Sequence, residues 1–278
     1  MLKNSSEIGR FKISTRSLMP FLLITFIVTW TILGLYIFLP NKMTSIFGKI
    51  TGDHPMFFLA VYSPAIAAII VVLHSSGIKG VQSYLRRVLI WRSTKSWYTF
   101  LILGIPLIFI SGSALKGNLF TEPFQFSSFH SLFMAFLLTA IKGPVEELGW
   151  RGVALPLLQR NFTPIWAAFI LGIIWAIWHL PAFLLSGTPQ EFWPFIPFFF
   201  GAIALSVIVT ALFNGSKGSI LIPMLFHFFL NNPIWPNAQP YDIYLFVVAA
   251  FFITWFNRKT MFTKEGAVTR VIPFGLTP

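Results

Sequence analysis

The chain contains no cysteine, and this absence removes several kinds of chemistry at once. Disulfide bonds, thiolate metal ligands, a cysteine nucleophile and lipid attachment through a thiol are all excluded. Acidic residues are also scarce, since 8 Asp and Glu stand against 20 Lys and Arg. Only 10% of the 278 residues are charged, which is far too few for an ordinary water-soluble domain.

Apolar residues fill the space that charge leaves. Hydrophobic types make up 56% of the chain, and the mean hydropathy is +0.76. This composition predicts an all-α, polytopic transmembrane bundle, organised as one integral membrane domain over residues 1–278. A bacterial plasma membrane is the expected location. The net charge of +12 is spread through loops and not gathered on one face, so we expect the lipid bilayer and not nucleic acid as its partner.

An apolar helix needs about 20 residues to cross a bilayer, and the sequence contains about eight candidate stretches. They cover residues 18–39, 56–73, 97–114, 126–147, 164–185, 194–213, 219–232 and 241–257. With both termini in the cytoplasm, all 20 Lys and Arg residues fall on the inner side except Lys42, Lys49 and Lys116. Because short cytoplasmic loops are enriched in Lys and Arg, this asymmetry supports eight spans with cytoplasmic N and C termini.

The second of the predicted inner loops has a pattern of its own. Val81, Leu85 and Val88 recur at helical spacing beside Arg86 and Arg87. This pattern is equally consistent with an amphipathic helix lying on the membrane surface and with a plain basic connector.

Two adjacent acidic residues, Glu146 and Glu147, stand at the end of the fourth apolar stretch. A charged residue at membrane depth costs about 2.5–3.5 kcal/mol on insertion scales, so such residues usually have a partner and a function. On a helix, Glu147 and Arg151 are four positions apart and share a face, which predicts an ion pair. Glu146 points about 100° away and remains free to accept a proton. A charged helix end at the membrane surface would also explain the pattern.

Two later apolar segments each centre on a histidine. His179 follows Trp175 by one helical turn, so the indole could wall a pocket around the imidazole. His227 and Asn231 are also four apart, and both can donate hydrogen bonds toward one point, as groups that stabilise an anion must. Each histidine taken alone could instead be a structural residue that hydrogen-bonds between helices.

The three motifs in this order resemble the CAAX-protease and bacteriocin-processing family of intramembrane proteases, also called the Abi family. Its pattern of EExxxR, FxxxH and HxxxN on separate helices corresponds here to Glu146-Glu147 with Arg151, to Trp175 with His179, and to His227 with Asn231. The aromatic residue before the first histidine is tryptophan here and phenylalanine in the family pattern. The resemblance covers about residues 126–232, which we expect to form the catalytic core helices.

The resemblance implies an endopeptidase of the type II CAAX prenyl kind that hydrolyses a peptide bond near the membrane, reached from the cytoplasmic side. Glu146, helped by His179, would activate water, while His227 and Asn231 would stabilise the oxyanion. Glu147 and Arg151 would organise the site. Glu146, His179 and His227 could also bind Zn²⁺ with an open position. However, the chain has no HExxH motif, so a site without a cofactor is favoured.

Three functions stay open at this point. The leading one is the endopeptidase, whose substrate would be a peptide or protein at the membrane, such as a prenylated tail or a bacteriocin-like peptide. The second is a non-proteolytic membrane scaffold or bacteriocin-immunity factor. The third is a proton or solute transporter, because buried Glu and His also mark proton pathways, although the two related halves typical of transporters are not visible in the sequence.

Overall fold

A computed structural model describes residues 13–121 and 126–272, and every regular element in these two ranges is a helix. The longer helices are α1 Leu18–Phe38, α2 Ser63–Leu85, α3 Ile105–Lys116, α4 Phe129–Ile141, α5 Pro164–Trp178, α6 Phe195–Gly215, α7 Leu221–Leu230 and α8 Tyr241–Phe256. Short helical turns connect them: Thr15–Ser17, Pro40–Phe47, Pro55–Val61, Arg86–Leu89, Lys95–Thr99, Phe100–Gly104, Pro144–Glu146, Glu147–Gly149, Trp150–Ala154, Leu155–Gln159, Leu180–Leu184 and Arg258–Met261. The predicted helical membrane bundle is confirmed.

Within the described residues, five helical segments are long and apolar enough to cross a membrane. They are Thr15–Phe38, Ser63–Leu89, Lys95–Lys116, Pro164–Leu184 and Phe195–Gly215. Two further apolar helices are shorter, namely α7 and α8. The predicted seventh stretch therefore contains a helix of only 10 residues, which is about half the length that a full crossing requires.

The two ends of the bundle can be told apart by their contacts. We call one end the base. There the Arg160 guanidinium donates to the carbonyl oxygens of Ile13 and Thr269, at 2.6 and 3.0 Å. We call the opposite end the mouth. It comprises residues 40–54, the loops 116–121, 186–194 and 231–240, and Lys142, which contacts Gly52 and Asp53. Gly52 donates from its amide to the Gly187 carbonyl there, at 3.0 Å.

The fourth predicted span, 126–147, is wrong in its position. The helix α4 ends at Ile141, and the Lys142 ammonium donates to the Gly52 carbonyl at 3.1 Å and lies 3.4 Å from Asp53. Lys142 therefore shares the mouth with the loop that holds Lys42 and Lys49, and does not lie on the opposite side from them. The chain then passes from mouth to base between Lys142 and Arg160, through four short helical turns.

Small residues let the helices that carry this passage approach each other closely. A β-carbon at Gly149 would lie 2.5 Å from the carbonyl oxygen of Pro64, and one at Gly172 would lie 2.7 Å from the α-carbon of Ile203. Helices in a membrane associate through such close packing, because lipid supplies no hydrophobic driving force between them. The residues Glu146 to Arg151 are thereby held against α2, and α5 is held against α6.

The basic segment at the end of α2 is helical, and its buried side packs into the base. The backbone of Gly77 has φ +64°, which breaks the helix of α2 and redirects the chain. Val81 and Tyr84 beyond the break are buried, and so is Arg87. Arg87 donates to the carbonyl oxygens of Gly218, Gly152 and Val271, at 2.8, 3.2 and 2.8 Å. Arg87, one of the basic residues of the predicted inner loop, is therefore a structural anchor.

Candidate active site

Each of the three motifs contributes side chains to the wall of one cavity of about 820 Å³. Glu146, His179, His227 and Asn231 all line it, together with Trp175. They come from different elements of the chain: the turn Pro144–Glu146, the C-terminal ends of α5 and α7, and the residues that follow each of these helices. The convergence that the motifs predicted is therefore present in the folded chain.

Glu146 reaches the cavity because Pro144 ends the preceding helix and begins a 3₁₀ turn over Pro144–Glu146. Only 5% of the residue is exposed. The indole nitrogen of Trp175 donates to its Oε2 at 3.0 Å. This contact fixes one carboxylate oxygen, and the residue lines the cavity, so Glu146 is positioned to accept a proton from a molecule there.

Glu147 lies behind the cavity wall, where its carboxylate contacts both Arg151 and His227. The Arg151 guanidinium lies 3.3 Å from its carboxylate, and Nδ1 of His227 lies 2.9 Å from its Oε1. Arg151 is fully buried, and Glu147 is 1% exposed. A buried charge is tolerated only when it is paired. The Arg151 guanidinium also lies 5.2 Å from the ring centre of Trp175, the residue that holds Glu146.

His179 follows α5 directly and is held by its own backbone. Its Nδ1 lies 2.8 Å from the carbonyl oxygen of Trp175, and a carbonyl can only accept, so Nδ1 carries the proton. The neutral ring then has an unprotonated Nε2, which can accept a proton or a hydrogen bond. The rings of Trp178 and Phe198 lie 4.6 and 5.1 Å away, and they restrict the imidazole to one orientation.

His227 and Asn231 converge on Gly143. A β-carbon built on Gly143 would lie 2.6 Å from Nδ2 of Asn231 and 2.8 Å from Nε2 of His227. Both nitrogens therefore face the same small space, and glycine is the residue that leaves it open. Because the Glu147 carboxylate accepts from Nδ1 of His227, Nε2 can donate only when the ring is a doubly protonated imidazolium.

Part of this arrangement was not visible in the sequence. The Glu147–Arg151 pair and the role of Trp175 as a wall were predicted from helical spacing. The contact between Glu147 and His227 joins residues 80 positions apart, and no local spacing indicates it. The space that Gly143 leaves for the site was also missed. The pair Gly143-Pro144, just before Glu146, is a detectable signal of a broken helix.

The fit of a metal ion can be judged from the same contacts. In residues 13–121 and 126–272, no group of three or more His, Asp or Glu side chains is positioned to hold one. The ring nitrogens Nδ1 of His179 and His227 are engaged by Trp175 and Glu147, which leaves Nε2 of each ring free, as it is in histidines that bind zinc. The spacing of the described acidic and histidine side chains, and not the state of the rings, is therefore what does not favour a zinc set of Glu146, His179 and His227.

Replacing Glu146 and Glu147 one at a time should show which of the two carboxylates stabilises the fold. We expect Glu147→Gln to reduce the free energy of unfolding by about 3–5 kcal/mol, because it leaves the buried Arg151 guanidinium without a counterion. Glu146→Gln is the matched control, since its amide oxygen can still accept from Trp175, and it should cost about 1 kcal/mol or less. Thermal unfolding of both purified variants in detergent measures the difference. Equal stability of the two variants would contradict the assigned ion pair.

Comparison with known proteins agrees with the motifs. Residues 128–232 match the family model described as "Type II CAAX prenyl endopeptidase Rce1-like". A protein of Methanococcus maripaludis named "CAAX prenyl protease 2" is 30% identical over 179 residues, which is 60% of this chain and 65% of that protein. The match thus spans just under two thirds of that relative's length. Over residues 128–232, which contain the three motifs, this chain is similar to the type II CAAX prenyl endopeptidases, as those motifs predicted.

Proposed function

We propose that the protein is an intramembrane endopeptidase that hydrolyses a peptide bond with a water molecule activated by Glu146 and His179. The observation that carries this proposal is the convergence of Glu146, His179, His227 and Asn231 on one cavity. The resemblance to type II CAAX prenyl endopeptidases supports it. The substrate would be a peptide or protein at the membrane, and a prenylated C-terminal tail or a bacteriocin-like peptide would both suit the chemistry.

In this mechanism Glu146 takes a proton from water as the oxygen attacks the scissile carbonyl. Nε2 of His179 accepts a hydrogen bond from the same water and orients its lone pair. His227 and Asn231 donate from Nε2 and Nδ2 to the oxygen that becomes negative in the tetrahedral intermediate. Glu147 holds the ring of His227 in place through Nδ1, and Glu146 then delivers its proton to the departing amine.

Substitution of the proton acceptor tests the reaction directly. We expect Glu146→Gln to lower the rate of peptide cleavage by about 10²–10⁴-fold, the range of general-base catalysis. The temperature at which the protein unfolds should stay nearly the same. The assay would use purified protein and an internally quenched farnesylated peptide that ends in a CAAX sequence. A variant with full activity would remove Glu146 from the mechanism.

If the cellular function survives joint substitution of Glu146, His179 and His227, the scaffold or immunity role is correct instead.

The space in front of Gly143 provides a second test. We expect Gly143→Ala to lower the cleavage rate by at least about 10²-fold, the cost of losing one oxyanion donor, because its methyl group would occupy the position to which His227 and Asn231 donate. Gly143 has φ −65° and ψ −49°, so alanine introduces no backbone strain.

The matched control for this variant is Gly34→Ala, because a β-carbon there would meet no atom within 4 Å. It should leave kcat and KM unchanged. The loss in Gly143→Ala should fall mainly on kcat, since the affected contact forms in the transition state. Unchanged kcat in Gly143→Ala would place the oxyanion elsewhere.

We further propose that this reaction needs no metal ion. The spacing of the acidic and histidine side chains in the described residues supports that view. Treatment with EDTA or 1,10-phenanthroline should therefore change the cleavage rate by less than about twofold, because no metal ligand set contributes to the barrier. Inhibition by both chelators that is reversed by added Zn²⁺ would establish the zinc alternative.

A further inference from the structure

The lining of the cavity that holds the site reaches the mouth and does not include the residues of the base. The lining extends from Glu146 and His179 to residues of the mouth: Lys116, Lys142, Gln190, Phe192, Trp193 and Asn237. Phe192 is 86% exposed at the rim, and Asn237 is also exposed. The path from solvent to the Glu146 carboxylate therefore runs through the mouth.

The base is closed by a layer of buried polar contacts. Arg87 binds three backbone carbonyl oxygens, including that of Val271 in the C-terminal segment. The amide of Gln159 donates to the Val268 carbonyl at 2.9 Å and exchanges hydrogen bonds with Asn214. None of these residues lines the cavity, so the C-terminal segment and its partners form a floor below the site.

Positive charge is distributed very unequally between the two ends. Of the Lys and Arg residues that the structure describes, those on the segments at or next to the base are Arg16, Lys79, Arg86, Arg87, Arg92, Lys95, Arg160, Lys217, Arg258, Lys259, Lys264 and Arg270. Those at the mouth are Lys42, Lys49, Lys116 and Lys142. Lys142 was predicted to lie on the inner side, but its contact with Asp53 places it at the mouth. With Lys142 counted there, the base still has far more Lys and Arg residues than the mouth.

The excess of Lys and Arg on short segments next to spans marks the cytoplasmic side of a membrane protein. The base therefore faces the cytoplasm, in agreement with the predicted location of both termini. The mouth then faces the opposite side. This orientation conflicts with the access from the cytoplasm that the family resemblance implied. If the base faces the cytoplasm, a cavity that opened to the cytoplasm would have to open through the floor.

We propose that the catalytic cavity opens to the extracytoplasmic side of the membrane. Its substrates are then peptide segments at or beyond the outer surface, such as an exported peptide or the extracytoplasmic part of a membrane-anchored protein. The substrate class rests on the proposed endopeptidase function. The orientation of the cavity does not, because it follows from the contacts and the charge distribution alone.

Cysteine labelling tests the orientation independently of any activity. The chain contains no cysteine, so each single-cysteine variant reports on one position. The mouth variants are Phe192→Cys and Asn237→Cys, and the base variants are Lys217→Cys and Lys264→Cys, all at exposed positions. A membrane-impermeant maleimide would be added to intact spheroplasts and to permeabilised ones.

We expect both mouth variants to be labelled to the same extent before and after permeabilisation. Both base variants should be labelled only after permeabilisation. The reverse pattern, with the base labelled in intact spheroplasts and the mouth protected, overturns the proposal, as does labelling of either mouth variant only after permeabilisation. The unsubstituted chain is the blank, because it offers no thiol.

A second measurement addresses the substrate class. A soluble, internally quenched peptide library would be supplied to right-side-out and to inside-out membrane vesicles, with the Glu146→Gln variant as the blank. Cleavage that depends on Glu146 and occurs in right-side-out vesicles supports an extracytoplasmic substrate, whereas cleavage confined to inside-out vesicles overturns it. Absence of cleavage in both orientations counts against the proposed endopeptidase, while the labelling pattern still decides which way the cavity opens.

Discussion

The buried carboxylate of Glu147 is the interaction on which the geometry of the site depends. On one side it binds Arg151, whose guanidinium lies against the ring of the tryptophan that holds Glu146. On the other side it binds His227, whose free nitrogen faces Gly143. One ionised group thus connects the part of the site that activates water with the part that stabilises negative charge. A buried ion pair of this kind contributes more to positioning than to net stability, because desolvation offsets much of the attraction.

The features of this protein that could be predicted from sequence are those that depend on residues close together in the chain. Helical spacing of four residues correctly paired Glu147 with Arg151, and the apolar runs correctly indicated a helical membrane bundle. The motifs of His179, His227 and Asn231 predicted one shared pocket, and these residues do line one cavity. Each of these inferences needs only the local geometry of a helix or the hydropathy of one segment.

What could not be predicted depends on how the chain turns where helices break. Residues 126–147 read as one continuous apolar stretch, yet the helix ends at Ile141 and the crossing to the base begins at Pro144. Hydropathy does not distinguish a peripheral helix followed by a broken passage from a single span, since both are apolar. The same break determines the side on which Lys142 lies. The contacts of His227 with Glu147 and Gly143 join distant segments, and only the folded chain brings them together.

The floor below the site has a consequence for the membrane as a whole. A hydrolase that works inside a bilayer must admit water to the depth of its reacting groups, and a water column that reached both surfaces would dissipate ion gradients. The hydrogen bonds of Arg87 and of Gln159 with Asn214 lie between the cavity and the base, and none of these residues lines the cavity. Water that enters the cavity is therefore separated from the aqueous phase beyond the base, so this layer of contacts limits ion leakage across the bilayer.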